Sequence, residues 1–132
     1  MSANVEIVKR AIDVYNRGDI DAYADLTTAD FEVFPALERT VEAVSYRGRE
    51  GIETHLGNIR DTWEELHVLA DEIRDLGDRV LVLGRVEGRG RGSGVQVDEP
   101  AGFVVEFRDG KMSRIRAYLD HGEALRAAGL SE

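Results

Sequence analysis

Cysteine is absent from this 132-residue chain. Its absence excludes disulfides, thiolate metal sites and nucleophilic thiols together, and it fits a cytoplasmic protein. Histidine is scarce too, with His55, His67 and His121 as the full set. None sits at ligand spacing from paired carboxylates, so no metal is expected. No apolar run approaches the ~20 residues of a membrane span, and the opening MSANVEIVKR lacks the apolar stretch of a signal peptide. Basic residues are the minority, 17 against 26 acidic ones, for a net charge of −9. A surface of that sign repels phosphate backbones, which argues against nucleic acid as a partner.

What is present suffices for one domain over 1–132, with 42% hydrophobic residues and enough length to bury a core. Val5, Val8, Ile12 and Tyr15 form one stripe of an amphipathic helix that Gly18 ends. Asp19 then caps a short second helix carrying Tyr23 and Leu26. FEVFP at 31–35 has strand character, and a second strand is expected through Val41, Val44 and Tyr46. A third helix is expected over 50–64, with Ile52, Leu56, Ile59 and Trp63 on one face.

Beyond that point the period becomes extended. Four long strands are expected over 66–76, 79–89, 95–108 and 111–120, with Gly77-Asp78 and Asp109-Gly110 as turns. The glycine-rich run at 88–94 leads into another strand rather than a helix, so it reads as a hairpin end and not a phosphate loop. A short helix over 123–128 closes at Gly129. Helices grouped against an antiparallel meander make an α+β architecture.

The order of "YNRGDIDAYADL", "TADFEVFPA", "YRGREGIETHL", "LGDRVLVLGRVEGRGRGSGVQV" and "FVVEFRDGKMSRIRAYLDHGEALRAAGL" resembles the NTF2-like superfamily, and within it the SnoaL-like branch. The resemblance implies a cone, a curved and mostly antiparallel sheet wrapped around three N-terminal helices with an apolar cavity inside. It also implies homodimers paired through the outer face of the sheet, with no cofactor. Val80, Val82 and Val86 oppose Leu81 and Leu83 along one strand, so both faces of that strand need cover, and a partner subunit would suit one of them.

The same scaffold carries several chemistries, so the residues must decide among them. Ketosteroid isomerases of the superfamily need two acids and a tyrosine where this chain has Pro35, Phe103 and Ala11, which argues against that reaction. Epoxide hydrolase-like members use an arginine between two acids. Arg85 and Glu87 supply such a pair on one strand face, but the second acid falls at Ala117. The alternative is a solvent-facing charge ladder running on into Arg89 and Arg91. SnoaL-type cyclases use an aspartate and a histidine, and Asp120-His121 stands where the last strand meets the tail helix. Asp120 equally fits helix capping, and the parity of Ile115, Ala117 and Leu119 turns it outward.

His55 is the remaining acid–base candidate, beside the third-helix stripe, against the reading of a satisfied boundary residue. Tyr15, Trp63 and Phe103 lead the expected ligand contacts, joined by Phe31, Ala117 and Leu119. Three functions fit this pattern. They are an acid–base enzyme on a hydrophobic small molecule, a non-catalytic binder of such a molecule, and a domain packed with its own side chains. A cavity with a buried carboxylate favours the first, a dry aromatic cavity the second, and no cavity the third.

Overall fold

The structure, a computed structural model, describes residues 3–35 and 45–130. It opens with α1 (Ala3–Arg17) and α2 (Ile20–Ala24), followed by β1 (Thr27–Phe34), β2 (Tyr46–Arg47) and α3 (Gly48–Thr62). The meander is β3 (Trp63–Asp75), β4 (Arg79–Gly90), β5 (Gln96–Arg108) and β6 (Lys111–Tyr118), and α4 (His121–Ala127) ends it. This is the expected α+β order. Val41 and Val44 lie outside the described residues, and Tyr46 falls in β2.

The six strands form one sheet in the order β2-β1-β6-β5-β4-β3. Every pairing is antiparallel except β1 with β6. Register shifts between Ala70 and Glu72 on β3, and between Thr27 and Glu32 on β1, interrupt the ladders. Such bulges bend a strand and let a sheet wrap around helices. β3 is an edge strand. Asn16 of α1 covers part of that edge, its amide donating to the Val68 carbonyl and accepting from the Val68 N–H, both at 2.9 Å.

Asp19 caps α2 as expected, accepting from the Ala22 N–H at 3.1 Å. The third helix departs from expectation at its end. It stops at Thr62, and Trp63 already has extended backbone (φ −117°, ψ 133°) as the first residue of β3. The side chain of Trp63 therefore follows strand parity rather than the helical stripe.

The main core lies between α1, α3 and the concave face of the sheet, where Val8, Val14, Phe31, Ile52, Val80 and Met112 are almost fully buried. Each such side chain contributes about 1.5–3 kcal/mol. A second cluster occupies the opposite face, where Leu81, Leu83 and Val104 pack under Ala124 and Ala128. Thus α4 covers the apolar side of β4 that the alternation left for a partner subunit. Gly102 permits the approach, since a Cβ there would stand 2.4 Å from the Ala124 Cβ.

Candidate functional site

The concave face does not fill completely. A cavity of about 110 Å³ lies between α1, α3 and strands β1 and β3–β6. Val8, Ala11 and Ile12 line it from α1, and Val82, Val86, Ala101 and Val105 from β4 and β5. Its polar groups come from Tyr15, Tyr23, His55 and Tyr118, and no Asp, Glu, Lys or Arg belongs to the lining among the described residues.

His55 reaches this site because α3 buries Ile52, His55 and Leu56 on one face. Those positions are three and four apart, the spacing that stacks side chains along a helix. The imidazole lies between two tyrosines, 5.2 Å from the Tyr46 ring and 6.3 Å from the Tyr15 ring, centroid to centroid. Tyr46 can sit there because residue 51 is glycine. A Cβ at Gly51 would stand 2.7 Å from the Tyr46 carbonyl carbon. On its outer side Tyr46 accepts a hydrogen bond from the Asn58 amide at 3.0 Å.

Tyr15 continues the row to Tyr23 at 6.1 Å, and Tyr23 meets Phe31 edge-on at the same distance. Burial holds the Tyr23 phenol far above its ordinary ionisation range, and neighbouring Tyr15 pushes it the same way. Tyr23 is thus a neutral phenol at any physiological pH. Together these groups make an apolar chamber with one polar wall.

Of the expected ligand contacts, Tyr15, Phe103, Ala117 and Leu119 line the cavity. Phe31 does not, being completely buried beneath Tyr23 as packing. Trp63 does not either. It lines a separate groove of about 390 Å³ beside the C-terminal ends of α1 and α3.

Among the expected catalytic groups, only His55 belongs to the lining. Arg85 and Glu87 lie on the opposite face of β4 from Val82 and Val86, about half exposed. There Arg85 bonds to Asp98 on β5, with its Nε 3.1 Å from Oδ1, and to Glu87 at 3.3 Å. These contacts hold the Arg85 guanidinium more firmly charged than usual. Arg89, two residues beyond Glu87, pairs with Glu64 and Glu65, so the ladder continues toward solvent.

Asp120 is exposed and accepts from the Glu123 N–H at 3.1 Å as the α4 cap. His121 starts α4, with Nε2 2.8 Å from the Gly84 carbonyl oxygen. Its ring thus ties α4 to β4, away from the cavity. No described cluster of three or more His, Asp or Glu has metal-binding geometry, and no described helix is long and apolar enough to cross a membrane.

Sequence reasoning underrated Tyr23, Tyr118 and Pro35 as lining residues. Tyr23 carried a usable signal, since it falls on the buried side of a capped short helix immediately after α1.

The fold recurs in solved structures of low sequence identity. An NTF2-like protein of unknown function from Burkholderia pseudomallei superposes with a TM-score of 0.80 at 19% identity, over 96% of this chain and 97% of that one. A protein of Jannaschia sp. CCS1 named for the SnoaL-like polyketide cyclases gives 0.76 at 24%, over 96% and 90%. A hypothetical protein with a ketosteroid isomerase-like fold from Catenulispora acidiphila, in complex with trimethylamine, gives 0.77 at 21%, over 95% and 93%. No curated protein matches the sequence. The sequence profile of the SnoaL-like domain matches residues 8–115, most of the chain. A cone with this topology, matched over that span, makes the chain a member of the SnoaL-like domain family.

Proposed function

We propose that the cone binds a small, largely apolar molecule and holds its one polar group against His55, Tyr15 and Tyr23. The observation that carries this reading is the lining, which is apolar apart from one imidazole and three phenols and contains no described carboxylate. An apolar body gains about 25 cal/mol per Å² on entering such a chamber. A single hydrogen-bonding end then fixes orientation, because a polar ligand group left unpaired there costs about 1–3 kcal/mol.

Acid–base chemistry is the second reading, and one observation favours it. His55 is the lining group that ordinarily titrates near neutrality, and it stands in the same chamber as Tyr15 and Tyr23. In that reading His55 takes a proton from the bound molecule, and a tyrosine hydroxyl donates to the oxygen where charge develops. The related proteins named for polyketide cyclases and crystallised with trimethylamine are consistent with a small-molecule site here. A homodimer through the outer sheet face, as the family resemblance implies, would have to form around the Arg85–Asp98 ladder.

A thermal-shift panel of hydrophobic metabolites and polyketide-like aromatics tests the proposal, with wild type beside His55→Ala and the outer-face control Glu87→Gln. A ligand at a hundred times its Kd stabilises by about 2.7 kcal/mol, roughly a 10 °C shift. The expected result is a shift in wild type and Glu87→Gln that shrinks in His55→Ala. No shift across a broad panel contradicts the proposal. Turnover of a shifting compound, abolished by His55→Ala, selects the second reading over simple binding.

A further inference from the structure

The groove beside Trp63 and the cone cavity share a wall formed by Tyr15, Ile59 and Leu66. Their chemistries are opposite. The cavity is apolar, whereas Arg17, Arg60 and Arg91 line the groove with Asn16 and His67. Two carboxylates, Glu64 and Glu65, also line it, but both are paired with Arg89 at 3.4 and 3.3 Å. Arg17 is likewise paired, with Asp13 at 2.7 Å.

Arg60 and Arg91 differ. The guanidinium of Arg91 donates to the carbonyls of Arg60, at 3.1 and 2.9 Å, and of Trp63 at 3.3 Å. That of Arg60 donates to the Gly18 carbonyl at 3.4 Å. Main-chain carbonyls orient these two groups and leave their charge without a described carboxylate partner, in a protein of net charge −9. Each guanidinium has five N–H donors in a fixed fork that suits a planar carboxylate.

We infer that this groove is a second subsite for the carboxylate head of an amphipathic ligand whose apolar part enters the cone past Tyr15, Ile59 and Leu66. The inference rests on the cone being a binding site. Size supports it, because an engineered dry cavity of about 150 Å³ takes up a single benzene, and this one, at about 110 Å³, encloses no more than one small ring. A ligand with a longer apolar body must therefore extend beyond the cone. On the side of Pro35, Tyr118 and Leu119 the lining offers a head group no charge among the described residues. Across the shared wall it meets Arg60 and Arg91.

Isothermal titration of the whole protein with octanoate and with 1-octanol at matched ionic strength tests the subsite. The expected result is at least tenfold tighter binding of octanoate. That preference falls by about tenfold in Arg60→Gln and in Arg91→Gln, and it weakens as salt is raised. Arg60 is exposed, so Arg60→Gln keeps the test valid even if the loss of the Arg91 bonds disturbs the end of α3. Equal binding of the two probes overturns the subsite and leaves the cone standing. Failure of both probes, with the thermal-shift panel still finding a cavity ligand, also overturns the subsite alone. Failure of both with a silent panel overturns the subsite and the cone reading together.

Discussion

The two faces of β4 are built from neighbouring residues and serve different ends. Inward, Val80, Val82 and Val86 line the core and the cavity. Outward, Leu81 and Leu83 pack under α4, and the face then turns to Arg85, Glu87 and Arg89 with their acidic partners. The same period-2 alternation yields packing at one end of the strand and charge pairing at the other. The charged residues that look most catalytic in the sequence are on the convex side, and the chemistry-bearing groups of the concave side are an imidazole and phenols. In this cone, parity rather than residue type separates a site from a surface.

Breaking the concave side should cost most. Phe31→Ala removes a fully buried ring from beneath Tyr23, and urea unfolding should show a loss of about 3–5 kcal/mol. Asn16→Ala should cost about 1–3 kcal/mol, since it leaves the N–H and carbonyl of buried Val68 without their partner. On the convex side, Gly102→Ala forces a methyl against Ala124, and the same assay should show a loss of about 1–3 kcal/mol with α4 displaced.

Tyr23 gives a pH signature specific to the concave side. Its folded pKa is raised, so its contribution to stability is complete below about 10 and is lost as pH rises above that value. Wild type should lose melting temperature on going from pH 9 to 11 more steeply than Tyr23→Phe. An equal slope would place the phenol in solvent. The exposed Asp30 carboxylate works in the opposite sense. Its bond to Arg108 holds its pKa below the ordinary value, so its contribution is present above about 4 and fades as pH falls further.

The smallest effect belongs to the convex ladder. Arg85→Ala and Glu87→Gln should leave the melting temperature and any ligand shift unchanged, because both side chains are half in water and exposed ion pairs contribute little.

Much of the frame was readable from the sequence. The α1 stripe, the Asp19 cap, the turns at Gly77-Asp78 and Asp109-Gly110 and the outward parity of Asp120 all depend on local spacing, which a sequence displays directly. His55 was visible as well, although its full place on the α3 face follows from its distance to Ile52, three residues before it. What stayed hidden depends on non-local events. Trp63 continues the helical stripe on paper, but the helix ends one residue before it, and the change of period sends the indole to the groove instead. Leu81 and Leu83 demanded a cover, and no local pattern distinguishes a tail helix of the same chain from a second subunit. Nor does alternation reveal which face of an apolar strand is concave. Arg85 and Glu87 entered the candidate site for that reason.

The central claim is that the concave face holds a chamber open to a small ligand and the convex face does not. Methyl-resolved NMR during titration with phenol tests it most directly. The account predicts that the methyl signals of Val8, Val82, Val105 and Met112 move, while those of Leu81, Leu83 and Val104 stay fixed. Shifts confined to the convex methyls, or none at a phenol excess that saturates weak sites, would contradict it.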